Sequence, residues 1–197
     1  MKNIRDLIKQ KRIYFDGGLG TMLQKRGLKA GELPENWNLE HPEIITDIHR
    51  QYLMAGANII TTNTFGVNCL KHDNYVELIK AAISNAKNAT SEFDEAFIAL
   101  DIGPLGRFLE PIGDLKFEDA IEIFAKNIRV ATEVGVDLVI IETMTDSYET
   151  KAAVLAAKEN SDLPIFVTNA YDENGKMLTG ANPEAMVAML EGLKVDA

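Results

Sequence analysis

The residues best suited to chemistry in this chain are polar side chains that directly follow apolar runs. They are Asp16, Asn63, Asp101, Glu142 and Asn169. A carboxylate at the end of a buried strand is costly unless it has a partner, and Glu142 follows Leu-Val-Ile-Ile (138–141) without a break. We therefore expect Glu142 to bind a ligand, with a structural ion pair as the alternative.

The stretch Asp16-Gly17-Gly18 places a carboxylate beside two residues that lack side chains. Glycine can adopt positive φ and lets a ligand approach the main chain closely. Such a corner could hold both ends of an amino acid, with the ammonium on Asp16 and the carboxylate on the N–H groups of Gly17 and Gly18. Asp-Gly is also ordinary turn chemistry, and these residues alone leave that alternative open.

The elements that would position these residues alternate between strand and helix. Strands are predicted to begin near residues 13, 58, 97, 137 and 164. Helical patterns begin near Asn3, Pro42, Tyr75, Phe117, Asp146 and Pro183, whereas residues 24–40 read as irregular. The strands are continuously apolar, which is typical of a parallel sheet covered by helices. We therefore predict a single α/β domain over residues 1–197.

Two parallel α/β architectures fit this alternation, an open doubly wound sheet and a (β/α)₈ barrel. The open sheet would favour Gly-x-Gly-x-x-Gly after the first strand, but Leu23 stands where the third glycine belongs. A barrel instead brings all the strand ends to one mouth, where active sites are built. We predict a (β/α)₈ barrel of which this chain supplies about the first five βα units.

Composition narrows the class of partner. The net charge of −10 argues against nucleic acid, which requires clustered Lys and Arg. No apolar run approaches the ~20 residues of a membrane span, and residues 1–6 carry no signal-peptide pattern. The single cysteine, Cys69, excludes a disulfide within the chain and fits a cytoplasmic location. A small-molecule partner is the expectation that remains.

Six short segments also carry a family resemblance. They are Asp16-Gly-Gly-Leu-Gly-Thr21, Thr62-Asn-Thr-Phe-Gly66, Asp101-Ile-Gly-Pro104, Glu142-Thr-Met-Thr-Asp146, Lys151-Ala-Ala-Val-Leu-Ala-Ala157 and Leu178-Thr-Gly180. In this order they resemble the homocysteine S-methyltransferase family, and within it the homocysteine domain of the cobalamin-dependent methionine synthases. The resemblance implies a (β/α)₈ barrel that methylates a zinc-bound homocysteine thiolate to form methionine.

The resemblance also implies roles for individual residues. Asp16 and Glu142 would bind the amino group of homocysteine, and the amides around Gly17 and Gly18 would bind its carboxylate. Asn63 and Thr64 would line the mouth. The methyl donor would be methylcobalamin bound by other domains, or betaine or S-methylmethionine as in other relatives. Zinc would keep the thiol deprotonated at neutral pH.

The zinc ligands implied by the resemblance are cysteines after the sixth strand and near the eighth. This chain finishes at Val195-Asp-Ala197, which reads as the opening of a sixth strand, so we expect the ligands after Ala197 and no metal site within the chain. Cys69 and His72 are too few to form one.

The chain is accordingly expected to be an incomplete barrel that is inactive alone. Its open sheet edges predict a homo-dimer or a complementing C-terminal barrel fragment. The alternative function is a non-catalytic fragment that binds an amino acid or a partner chain.

Overall fold

The computed structural model describes residues 4–197 and confirms a parallel sheet flanked by helices. The four strands are β1 (Ile59–Thr61), β2 (Phe97–Ile102), β3 (Leu138–Met144) and β4 (Ile165–Asn169). They pair in parallel in the order β1-β2-β3-β4. Sequence order and spatial order agree, as expected when every neighbouring pair of strands is joined by a helical crossover.

The helices fill the intervals between the strands. They are α1 (Ile4–Gln10), α2 (Leu19–Lys25), α3 (Trp37–Glu40), α4 (Pro42–Met54), α5 (Tyr75–Thr90), α6 (Phe117–Val134), α7 (Ser147–Asn160) and α8 (Pro183–Gly192), with a 3₁₀ turn at Pro34–Asn36. The predicted start of the first helix at Asn3 lies outside the described residues. The prediction that residues 24–40 are irregular is wrong in part, because α3 and the 3₁₀ turn lie there. No helix within residues 4–197 is both long and apolar enough to cross a membrane.

The predicted strand at residues 13–15 is reduced to a single bridge between Phe15 and Ile59. The main chain still pairs on both sides of that bridge, with Asn58 N donating to Tyr14 O at 2.8 Å and Asp16 N donating to Ile59 O at 2.9 Å. Because β1 is only three residues long, it offers little length for pairing. The segment nevertheless holds Asp16 at the carboxyl end of the sheet.

Polar residues that precede strands tie neighbouring strands together at the amino end of the sheet. Their side chains accept hydrogen bonds from backbone N–H groups, Asn58 from Tyr14 (3.2 Å), Asp137 from Ile98 (2.8 Å) and Asp196 from Ile165 (2.9 Å). Residues 195–197 continue the pattern, because Val167 N also donates to Ala197 O at 2.9 Å. The residues predicted to open a sixth strand are therefore hydrogen-bonded to β4, although no strand is formed there.

The inner face of the sheet is closed at its amino end by α1. Ile4 and Leu7 of this helix pack with inward-facing strand residues, namely Ile59, Phe97, Leu138, Ile140 and Phe166. Arg5 Nε also donates to Asp196 Oδ1 at 2.6 Å, which joins α1 to the far side of the sheet. The inner face consequently opens at the carboxyl ends of the strands, where the polar residues lie.

Candidate functional site

A cavity of about 710 Å³ lies at the carboxyl ends of the strands. The predicted site residues that line it are Asp16, Gly17, Gly18, Asn63, Asp101 and Glu142. Asn169 is not among the lining residues, although Phe166, Val167 and Thr168 of the same strand are. Its Oδ1 instead accepts from Thr150 Oγ1 at 3.4 Å. All but one of the predicted strand-end residues therefore meet at one mouth.

Asp16 is held by Thr61 on the neighbouring strand. Its Oδ2 accepts from Thr61 N at 2.9 Å, and its Oδ1 accepts from Thr61 Oγ1 at 3.2 Å. Burial raises the pKa of Asp16 to about 7, against the lowering effect of the Thr61 hydrogen bonds, and the charge of Glu142 adds to the rise. Near neutral pH this carboxyl group is thus divided between its charged and neutral forms.

Gly17 and Gly18 line the cavity with main chain alone. Neither takes a positive φ, so these positions do not use the left-handed conformations that glycine allows. Position 17 leaves little room for a side chain, because a Cβ there would lie 3.0 Å from Cε1 of Tyr52. The Tyr52 hydroxyl donates to Gly18 O at 3.1 Å. Within residues 4–197 the N–H groups of Gly17 and Gly18 have no hydrogen-bond acceptor. They are available to an acceptor on a ligand.

Asp101 lies deeper, at 6% exposure, and its Oδ1 has no hydrogen-bond partner among the described residues. Two threonine hydroxyls fix its backbone, since Asp101 N donates to Thr62 Oγ1 at 3.1 Å and Thr64 Oγ1 donates to Asp101 O at 2.8 Å. Thr64 was expected to line the mouth, but it lies behind the wall and positions Asp101. Burial raises the pKa of Asp101 well above its usual range, and the nearby charges of Glu142, Asp16 and Glu35 raise it further.

Glu35 reaches the cavity from the 3₁₀ turn and was not predicted from the sequence. Its Oε1 accepts from Gly66 N at 2.9 Å, while its buried Oε2 has no partner within residues 4–197. Asn63 Nδ2 donates to Pro34 O at 2.8 Å and holds the same turn against the rim. A glutamate in a polar loop is normally expected to be exposed to solvent, so the local sequence does not predict that Glu35 lines the cavity.

The electrostatic character of the cavity is uniformly acidic. Burial also raises the pKa of the half-buried Glu142. Among residues 4–197, the side chains that line the cavity include the carboxyl groups of Asp16, Glu35, Asp101 and Glu142 but no Lys, Arg or His. Buried acids without a counter-charge must hold protons or a cation. The arrangement suits a ligand with a cationic group, and the amides of Gly17 and Gly18 suit an anionic group beside it.

The described residues do not fit a zinc centre. No group of three or more His, Cys, Asp or Glu side chains within residues 4–197 has the geometry to hold a metal ion. Cys69 and His72 lie in different surroundings. His72 is buried, whereas Cys69 is partly exposed and its Sγ accepts from Lys126 Nζ at 3.7 Å. A zinc site with three protein ligands is therefore not assembled by this part of the chain.

A parallel α/β sheet with an acidic mouth at its carboxyl end defines a small-molecule site of the (β/α)-barrel type. The chain belongs to the homocysteine S-methyltransferase family, whose sequence model matches residues 13–197. It is 27% identical over 217 residues to a methionine synthase of Mycobacterium leprae, covering 98% of this chain. The chain spans only 18% of the length of that protein.

The fold is similar to that of a homocysteine methyltransferase from Escherichia coli, MmuM. The apo form matches with a TM-score of 0.80 at 21% identity and covers 97% of this chain and 72% of the other. The oxidised form matches with a TM-score of 0.84 at 19% identity, and the match covers 98% of this chain and 74% of the other. These likenesses establish a shared fold across nearly the whole chain.

Proposed function

We propose that this chain binds homocysteine at the acidic mouth, as part of an enzyme that methylates the homocysteine thiol to form methionine. The observation that carries the proposal is a cavity whose acidic side chains have no basic neighbour in its lining, beside two backbone amides without an acceptor, both within residues 4–197. An α-amino acid carries an ammonium and a carboxylate on one carbon atom, and this cavity offers a complementary group to each. Membership of the family supplies the identity of the amino acid.

The ammonium of homocysteine would lie between Asp16 and Glu142. Asp16 is already oriented by Thr61, so little side-chain freedom is lost when the ligand binds. The carboxylate would accept hydrogen bonds from the amides of Gly17 and Gly18, with Asn63 at the rim. Hydrogen bonds to charged groups contribute roughly 1.5–3 kcal/mol each.

Reaction at sulfur requires a thiolate, since a free thiol titrates near 8.5. The described residues hold no set of ligands for zinc, so we place the metal ligands and the methyl-donor site outside residues 4–197. The donor would be methylcobalamin, betaine or S-methylmethionine. The role of this part of the chain is then to bind homocysteine and to orient its thiol.

Further βα units would extend the sheet beside residues 195–197. These residues already pair with β4, and within residues 4–197 no strand lies on their other side. An unpaired edge invites pairing with another chain, so we propose a complementing barrel fragment or a second copy at this edge. A dimer mass by light scattering would support the second copy.

The binding site can be tested by titrating ¹⁵N-labelled chain with L-homocysteine and following the amide signals by NMR. The amides of Gly17 and Gly18 are expected to shift, because they would donate to the ligand carboxylate. Gly175 lies in the turn at residues 172–176, outside the lining of the cavity, and serves as the internal control. Absence of any shift would contradict homocysteine binding, and shifts confined to the turn would contradict the site.

A further inference from the structure

Asp101 is the carboxyl group of the mouth that the proposed ligand contacts do not use. It is 6% exposed, lines the cavity, and keeps Oδ1 without a partner among the described residues. A buried acceptor without a hydrogen bond costs about 1–3 kcal/mol. The Asp101 carboxyl group therefore forms part of the cavity wall and lacks a full set of hydrogen-bond partners in the ligand-free site.

The groups that face Asp101 all carry the same sign of charge. Glu142 on β3, Asp16 beside β1 and Glu35 on the 3₁₀ turn each act on it electrostatically as acids. No basic side chain from the described part of the chain lines the cavity. In the ligand-free site the deepest acid is therefore the one that gains most from remaining neutral.

A primary ammonium group changes this balance. It brings one positive charge and three N–H donors, of which Asp16 and Glu142 would take two. The third donor needs an acceptor on the same cavity wall, and the carboxyl group of Asp101 belongs to a residue that lines that wall. Accepting that hydrogen bond beside a new positive charge favours the carboxylate form of Asp101.

We propose that Asp101 is a neutral carboxylic acid in the ligand-free site and releases its proton when a primary ammonium group binds between Asp16 and Glu142. The O–H bond of Asp101 breaks, its electron pair stays on the carboxylate, and the proton passes to the buffer. The inference rests on the proposed homocysteine site and makes Asp101 a binding residue for the ammonium. By linkage, homocysteine affinity then rises up to about tenfold per pH unit while Asp101 is protonated in the free protein.

Calorimetry can count the released protons. Homocysteine is titrated near pH 7.5 into wild-type chain and D101N in buffers of different ionisation enthalpy, which gives the proton number directly. Asn resembles neutral Asp in shape, so D101N preserves the ligand-free site. Asp16, whose pKa is about 7, is present in both proteins, so the difference between them reports the replacement of Asp101. We expect wild type to release about one proton more than D101N.

Asp137 provides the matched control. Burial raises its pKa too, but its Oδ2 is engaged by Ile98 N at 2.8 Å at the other end of the sheet. D137N is expected to release as many protons as wild type. Equal proton release by wild type and D101N would overturn the proposal.

A second measurement does not depend on homocysteine. The side-chain carboxyl signal of Asp101, assigned by its loss in D101N, is followed by ¹³C NMR in the ligand-free chain. A protonated signal near pH 7.5 is expected, and an ionised one would overturn the inference whatever ligand binds. If homocysteine fails to bind, the proposed function is contradicted. Methylammonium is then titrated instead, and the same Asp101 signal is followed. The signal is expected to change to that of the carboxylate when the amine binds, and a signal that stays protonated would overturn the proposal.

Discussion

At the scale of single residues, the site depends on side chains at strand ends and on one glycine that must stay small. Asp16 and Glu142 were predictable because a carboxylate at the end of a buried apolar strand is destabilising unless it has a partner, such as a ligand. Asn63 and Thr64 show the limit of that reasoning. Both residues follow β1 in the irregular segment after the strand, where Asn63 lines the cavity and Thr64 does not, and a sequence pattern does not fix side-chain direction in such a segment. Glu35 was not predictable, because its partner Gly66 is distant in sequence.

The substitution Gly17→Ala tests the close approach of Tyr52. The new Cβ would lie 3.0 Å from the Tyr52 ring, and moving the ring would break its 3.1 Å hydrogen bond to Gly18 O. We expect the free energy of unfolding to fall by about 1–3 kcal/mol, as in other overpacked sites. Urea denaturation followed by circular dichroism measures it.

Gly20→Ala is the matched control for this substitution. Gly20 lies in α2, and a Cβ there would meet nothing within 4 Å. Alanine is favoured over glycine inside a helix by roughly 0.5–1 kcal/mol, so G20A is expected to stabilise the chain. Equal losses in the two variants would show that Tyr52 is not the cause.

At the scale of elements, the long amphipathic helices and apolar strands were predictable from periodicity, and the short elements were not. The helix α2 contains Gly20 and has weak local preference for helix. It forms because Leu23 and its neighbours pack against Trp37 and Ile45, which is a tertiary effect. The opposite holds for residues 13–15, where the local sequence favours a strand but the tertiary structure does not supply one. The neighbouring strand β1 is only three residues long, so a single bridge forms.

The buried face of α4 carries a testable dependence of stability on pH. His49 is fully buried, neither ring nitrogen has a partner within residues 4–197, and burial lowers its pKa to about 4. The unfolded chain binds a proton first, near pH 6.5. The contribution of His49 is thus complete above about pH 6.5 and is lost as the pH falls to about 4, amounting to about 3 kcal/mol.

The variant His49→Leu should therefore lose much of this acid sensitivity. Urea denaturation between about pH 4 and pH 7.5 gives the comparison, and the difference from wild type removes the opposing effect of Asp16. His41, whose side chain is 44% exposed, supplies the control H41Q, which should follow wild type. An unchanged pH dependence in H49L would show that His49 is not the group responsible.

At the scale of the whole molecule, the arrangement of the sheet explains why distant residues share one site. Parallel strands in sequential order bring their carboxyl ends together, and α1 covers the opposite end. That convergence followed from the strand and helix pattern alone. The pattern did not predict the burial of Asp101 or the absence of basic lining residues within residues 4–197. Burial and charge balance depend on which side chains the folded structure brings together.

The most direct measurement of the central claim compares L-homocysteine with 4-mercaptobutanoic acid, which lacks only the amino group. Calorimetric affinities are measured for wild type, E142Q and the control E149Q, whose buried acid accepts from Leu105 N at 2.7 Å and does not line the cavity. If Glu142 binds the ammonium, E142Q should bind homocysteine about tenfold more weakly or worse and bind the analogue unchanged. E149Q should match wild type for both ligands. Equal losses for the two ligands in E142Q, or no loss for either, would contradict an amino-group site at this mouth.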